Sequence, residues 1–134
     1  MALSHEGDLA SARTVNLTTY RRNGTPVTTP VWWIARGDRF YVGTTRNTGK
    51  VKRIRANGRV RAIACDASGR RESGVAREGT ARVVDDPALR EEVQRLMVAK
   101  YGRWLFAFVM LIYRLRGVYA QRMLLELELR PPAV

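Results

Sequence analysis

Cysteine and histidine occur once each in 134 residues, as Cys65 and His5. A lone cysteine excludes an intramolecular disulfide and any cysteine-rich metal site. A lone histidine in a polar N-terminal stretch removes Ser-His-Asp, Cys-His and multi-histidine metal chemistry as default readings. Negative charge is scarce as well: 12 acidic residues face 24 basic ones, for a net charge of +12. Lysine is nearly absent, so arginine supplies all the basic residues except Lys50, Lys52 and Lys100. Such a surface calls for an anionic partner: phosphate, polycarboxylate, nucleic acid or lipid headgroups. Long apolar runs are missing too. The longest unbroken apolar run, Trp104 to Tyr113, has ten residues, whereas a bilayer span needs about 20. Met1 to Ala12 carries His5, Glu6 and Asp8 where a secretory leader needs an apolar core, so the expected compartment is the cytoplasm.

What remains is ordinary for a folded domain. An apolar fraction of 46% and a charged fraction of 27% fit one globular unit of 15.2 kDa. The expected organisation is a mobile N-terminal segment, 1–12, followed by one domain over 13–134. Arg13 to Tyr20 alternates as a strand, with Val15, Leu17 and Thr19 on one face. Asn23-Gly24 marks a hairpin turn, and Pro26 to Ala35 reads as the second strand. Pro30 within it cannot donate a ladder hydrogen bond, which places the strand at an edge or a bulge. Gly37-Asp38 turns the chain into strand three, Arg39 to Thr45.

From Gly49 to Asn57 the rhythm becomes helical, with Val51 and Ile54 on one side. Arg59 to Ala67 and Val75 to Val84 form strands four and five. Asp85-Asp86-Pro87 is a helix start, and Gly102 separates that helix from a second, apolar one through Leu115. Tyr101 to Leu115 is apolar nearly all round. That suits burial in the domain, a subunit interface, or peripheral contact with a membrane surface through Trp104–Tyr113; burial is the plainer expectation. Tyr119 to Arg130 is the last strand. The fold class is therefore mainly β with some α: a six-stranded antiparallel split β-barrel, a short helix after strand three and a helical insertion before the last strand.

Two segments carry candidate chemistry. Thr44-Thr45-Arg46-Asn47-Thr48-Gly49-Lys50-Val51-Lys52-Arg53-Ile54-Arg55 leaves a strand with two hydroxyls and opens a helix bearing four cations within six residues. Helix N-termini and charge-assisted bonds favour an anion there, although the P-loop spacing is absent. A solvated basic face is the equal alternative. Thr28-Thr29-Pro30-Val31-Trp32-Trp33 offers edge-strand N–H groups and an indole to a planar heterocycle. Alternation sends one of the two tryptophans to the core and the other outwards. Glu126 and Glu128 read as an arginine-paired surface.

The run Thr18-Thr19-Tyr20-Arg21-Arg22-Asn23-Gly24-Thr25-Pro26-Val27-Thr28-Thr29-Pro30-Val31-Trp32, with Gly49-Lys50-Val51-Lys52-Arg53-Ile54-Arg55, Val60 to Asp66, Glu78 to Ala81 and Lys100-Tyr101-Gly102, resembles the pyridoxamine-phosphate-oxidase-like split β-barrel superfamily. More closely it is similar to the actinobacterial branch that uses the deazaflavin coenzyme F420. The resemblance implies a homodimer with two cofactor clefts. The backbone of Thr29, Pro30, Val31 and Trp32 would lie along the tricyclic ring. Thr44, Lys50, Lys52 and Arg53 would hold the phosphate, with Arg55 and Arg59 available to a distal anionic tail. Ala64, Cys65 and Asp66 would close the ring pocket. Where the family commonly has Asn-Pro-Arg, this chain has Asn57-Gly58-Arg59, which predicts a looser connection.

The function expected on this basis is hydride transfer from reduced F420 to a small-molecule electron acceptor, with the cofactor carrying the reaction and no dedicated protein acid or base. An FMN enzyme of the same fold is the near alternative. A basic binding module for nucleic acid or an acidic membrane is the distant one. Nucleic acid is disfavoured because Trp32 and Trp33 lie in an apolar strand rather than among arginines.

Overall fold

A computed structural model describes residues 9–131. Of the N-terminal segment 1–12, residues 1–8, His5 included, lie outside the described ones, while Leu9 is buried in the core. Gly24, at φ 91°, turns β1 (Thr14–Tyr20) into β2 (Pro26–Val31). Its N–H donates to Arg21 O at 2.8 Å, and Arg21 N–H donates to Thr25 O at 2.9 Å. A positive φ at that position is what glycine supplies without strain. The chain continues through β3 (Ile34–Arg36), β4 (Arg39–Thr45), α1 (Gly49–Ala56), β5 (Arg59–Cys65) and β6 (Glu72–Val84). Asp86 then caps α2 (Pro87–Tyr101), its carboxylate accepting from Ala88 N–H and Leu89 N–H. Gly102, at φ 99°, breaks the path into α3 (Arg103–Leu115), and β7 (Arg122–Leu129) closes the order.

Seven strands, not six, form one antiparallel sheet in the order β2-β1-β5-β6-β7-β4-β3. The expected strand Pro26 to Ala35 is cut at Trp32-Trp33, so α1 follows the fourth strand rather than the third. The last strand starts at Arg122, because Tyr119–Gln121 takes one 3-10 turn. Pro30 sits on β2 at the sheet's edge, where its missing N–H leaves no ladder bond unmade. At Gly58 the connection is tied down: Arg59 N–H donates to Asn57 Oδ1 at 3.1 Å and Ala81 N–H to Gly58 O at 2.8 Å.

β2 and β3 are neighbours in the chain and opposite ends of the sheet. Three residue steps from Val31 to Ile34 span at most about 11 Å, so the sheet has to roll until its edges come near each other. No ladder joins β2 to β3, and the sheet is not closed. Inside the roll lie Val15, Leu17, Val42, Val60, Ala62, Leu125 and Leu127, with Val51 and Ile54 of α1 in the same cluster. Trp33 plugs the seam, fully buried and stacked on Phe40 at 4.2 Å. A second cluster sits outside the roll, where Val93, Met97 and Tyr101 of α2 pack on Tyr41 and Leu124.

The outer face of β4, β6 and β7 carries a buried carboxylate. Glu126 accepts from Tyr41 Oη at 2.7 Å, Arg39 at 3.0 Å and Arg82 at 2.7 Å. Burial raises its pKa, but the tyrosine and the two guanidiniums outweigh that and hold it below the usual carboxylate range. Glu128 is exposed and ion-pairs Arg39 at 3.7 Å, so the arginine-paired surface is realised with one member buried.

The seam's backbone is satisfied by α2. Lys100 Nζ donates to Ala12 O at 2.6 Å and Trp33 O at 2.7 Å. Tyr101 Oη accepts from Trp33 N–H at 3.1 Å and donates to Arg13 O at 2.5 Å. Replacing Tyr101 with Phe leaves the buried Trp33 N–H without that acceptor, and chemical denaturation is expected to register a loss of about 1–3 kcal/mol. Burial, and secondarily Arg13, pulls the Lys100 pKa down to about 8. The unfolded chain therefore binds more protons than the folded one between about pH 8 and the ordinary lysine range. The Lys100 penalty is fully present below pH 8 and fades as pH rises through that window. Unfolding free energy measured against pH should show this upward component in wild type and lack it in Lys100→Met.

Candidate functional site

A cleft of about 390 Å³ opens between β4 and β7 of the sheet and the helices α2 and α3. Its floor is built from Thr44, Thr45, Met123 and Leu124, and its near wall from Val31 and Trp32. Trp32 is held by stacking on Tyr101, with ring centroids 4.5 Å apart and planes 8° from parallel. The far wall is Met97, Phe106, Val109, Met110 and Tyr113.

At one end of the cleft α1 begins. Thr48 caps it by accepting from Val51 N–H, and its hydroxyl shares a 2.9 Å hydrogen bond with that of Thr44. No acidic residue stands in the first turn. Lys50 emerges there and lines the cleft. Burial, then the neighbouring Arg53, pushes its pKa down, which marks an ammonium without a compensating anion. At another part of the wall Arg122 donates to Tyr119 O (2.9 Å) and Gln94 Oε1 (3.1 Å), both neutral. Arg90 also lines the cleft, with Asp85 at 3.6 Å. Among the described residues that line the cleft there is no carboxylate. The cleft therefore combines apolar walls with unneutralised positive charge, a setting for a flat, partly apolar anion.

The candidate residues divide into groups. Val31, Trp32, Thr44 and Lys50 meet in the cleft. Thr29 and Pro30 precede them on β2, and Thr29 Oγ1 is buried without a hydrogen-bond partner. Pro30 packs against the turn after β5: a Cβ on Gly69 would meet Pro30 Cγ at 3.3 Å and Asn16 Oδ1 at 2.8 Å. Ala64 faces the core, Cys65 is half-buried, and Asp66 lies in that turn, accepting from Ser68 Oγ at 2.8 Å. None of these three lines the cleft. Burial, then Asp66 and Glu72, pushes the Cys65 thiol up, away from reactivity.

The remaining cations leave the cleft along α1. Arg53 Nε donates to Thr19 Oγ1 on β1 at 2.6 Å, and burial followed by Arg21 lowers its pKa. Lys52 and Arg55 are exposed. Arg59 lies over the Tyr20 ring, 4.1 Å from its centroid. Of the two tryptophans, Trp33 is the core residue and Trp32 the outward one, as alternation requires. Sequence reasoning missed Tyr113, Arg122, Gln94 and Arg90. Phe106, Val109, Met110 and Tyr113 are spaced as one helical face, and that spacing was the available signal.

Comparison with known proteins supplies a frame for this geometry. No curated protein matches the chain. Among solved structures, a conserved hypothetical protein of Mycobacterium tuberculosis is similar at TM-score 0.70 and 20% identity, covering 92% of this chain and 76% of that one. A protein named F420 reductase is similar at TM-score 0.63 and 18% identity, covering 93% of each chain. HutZ, the heme storage protein of Vibrio cholerae, is similar at TM-score 0.64 and 15% identity, covering 89% and 82%. At these identities the likeness concerns the fold. The family model described as pyridoxamine 5'-phosphate oxidase matches residues 5–130, nearly the whole sequence, and the chain belongs to that family.

Proposed function

We propose that the protein is a reductase that binds the deazaflavin coenzyme F420 and passes hydride from its reduced form to an electrophilic organic acceptor in the cleft. The observation that supports this most directly is the cationic path leaving the cleft. Lys50 stands in its wall, Arg53 acts electrostatically on Lys50, Arg21 acts on Arg53, and Arg59 covers the adjacent Tyr20. None of the four has an ion-pair partner among the described residues. F420 carries a phosphodiester and an oligoglutamate tail, so its negative charges follow an extended line. That matches a path better than it matches one compact phosphate. The structural resemblance to a protein named F420 reductase agrees with this choice.

The residues present fit such a group. Thr44, Lys50, Lys52 and Arg53 would hold the phosphate, while Arg55 and Arg59 take the tail. The edge backbone from Thr29 to Trp32 would lie along the ring. When bound, the deazaflavin supplies the hydride. Trp32, fixed on Tyr101, orients the ring's surroundings, and Phe106, Val109 and Met110 keep water from the acceptor. Tyr113 keeps its proton at neutral pH, since burial pushes its pKa up. With no carboxylate or histidine among the described residues of the lining, protonation of the product falls to solvent. The proposal includes a homodimer with two such clefts.

Equilibrium titration of the purified protein with F420 and, in parallel, FMN tests this. Tight binding of F420 alone is expected; preference for FMN keeps the cleft and overturns the cofactor assignment. Binding of neither removes the reductase reading, and a salt-sensitive complex with single-stranded nucleic acid then becomes the test of the basic path. Lys50→Ala should weaken F420 binding by about ten- to a hundred-fold, since a charge-assisted bond to phosphate is worth roughly 1.5–3 kcal/mol. Its thermal midpoint should stay near that of wild type. Unchanged affinity in a folded variant would remove the phosphate site from α1.

A further inference from the structure

α3 has two apolar faces. One of them, with Phe106, Val109, Met110 and Tyr113, lines the cleft. The other faces solvent: Trp104 is 78% exposed, Phe108 58%, Leu111 49% and Leu115 77%, and no residue of the helix is fully buried. At 100° per residue these four side chains fall within about 60° of arc. Leu105, 41% exposed, widens the stripe. A contiguous apolar surface of this kind on a small domain marks a contact site.

The charges around the stripe decide what it contacts. Between Glu92 and Glu126 the sequence holds no acidic residue; Arg95 pairs with Glu91, and Lys100 and Arg122 serve the seam and the cleft, which leaves Arg103, Arg114 and Arg116 beside the stripe. Arg103 stands at the start of α3, and Arg114 and Arg116 at its end; all three are exposed. A second copy laid on this stripe, parallel or antiparallel, would bring arginine to arginine at both ends, and neither α3 nor the residues flanking it supply an acid to relieve it. An anionic lipid surface meets both properties at once. Apolar side chains enter the acyl boundary, and arginines spread to the headgroups on either side. Trp104, and Tyr119 just beyond the helix, are residue types that settle at that boundary. No helix of the described residues is long and apolar enough to cross a membrane, so α3 would lie flat.

We infer that the Trp104–Leu115 face of α3 docks the protein peripherally on an anionic lipid bilayer. The cleft then lies on the opposite side of the docked helix. The inference is independent of which cofactor the cleft takes.

Co-sedimentation of the full chain with phosphatidylcholine vesicles, alone or with one-third phosphatidylglycerol, reads this out. Wild type should partition onto the anionic vesicles and be released by salt. The double variant Phe108→Ser/Leu111→Ser leaves the net charge unchanged and should lower partitioning by about tenfold. Arg70→Ser/Arg71→Ser removes two charges from the distant β5–β6 turn and should lower it less. Brominated lipid should quench tryptophan emission in wild type, and most of that quenching should vanish in the conservative variant Trp104→Phe. Equal partitioning of wild type and the serine double variant would overturn the inference, assigning adhesion to the overall +12 charge. Absence of vesicle binding, with a self-association that the serine variant abolishes, would overturn it in favour of a second copy.

Discussion

The two-residue link Trp32-Trp33 is the constraint on which the molecule turns. It joins the two outermost strands of a seven-stranded sheet, and its short reach allows nothing but a roll. Alternation at the link sends Trp33 inward, where it stacks on Phe40, and Trp32 outward, where it stacks on Tyr101. Because no ladder crosses the seam, the peptide groups there need partners from elsewhere. α2 supplies them through Lys100 and Tyr101. The same device that keeps the roll together therefore fixes the height at which α2 crosses the sheet, and with it the width of the cleft.

Charge is distributed by the same logic of local need. Where a carboxylate is buried, at Glu126, three donors converge on it. Acids elsewhere are spent in pairs: Glu92 with Arg36, Asp85 with Arg90, Glu78 with Arg130. Among the described residues no such partner appears around α1 for Lys50, Arg53, Arg21 or Arg59, even though Lys50 and Arg53 are partly desolvated and act unfavourably on each other. A fold with acids to place left this side positive. That is a standing electrostatic cost in the free chain, and an anion would relieve it.

Much of this was legible in the sequence because it rests on local rules. Val15, Leu17, Val60 and Ala62 alternate into the core; Gly24 and Gly37 take positive φ at the turns; Asp86 caps α2. The cut at Trp32-Trp33 was not legible, since Val31 to Ala35 is as apolar as a continuous strand. Only the roll of the whole sheet requires the break. The site was legible in half for a related reason. Val31, Trp32, Thr44 and Lys50 lie on contiguous segments with recognisable signals. Arg122 and Tyr113 arrive from the far end of the chain, and their meeting with Lys50 depends on how α2 and α3 fold back over β4 and β7.

α3 shows where periodicity alone runs out. A helix apolar all round ordinarily belongs in a protein interior. Here no part of it is fully buried, because a cleft takes the place of a core on one side and open surface lies on the other. The sequence pattern records only that both faces avoid charge. What separates them is the arginine placement: Arg103 and Arg114 flank the helix at positions from which a long side chain can reach away from the stripe. Were the outer face meant to close on the protein itself, those guanidiniums would have to be desolvated or paired, and the segment from Val93 to Leu125 holds no acid to pair them. The helix is thus built as a partition, with the cleft behind it and, in the proposed docking, an anionic lipid surface in front.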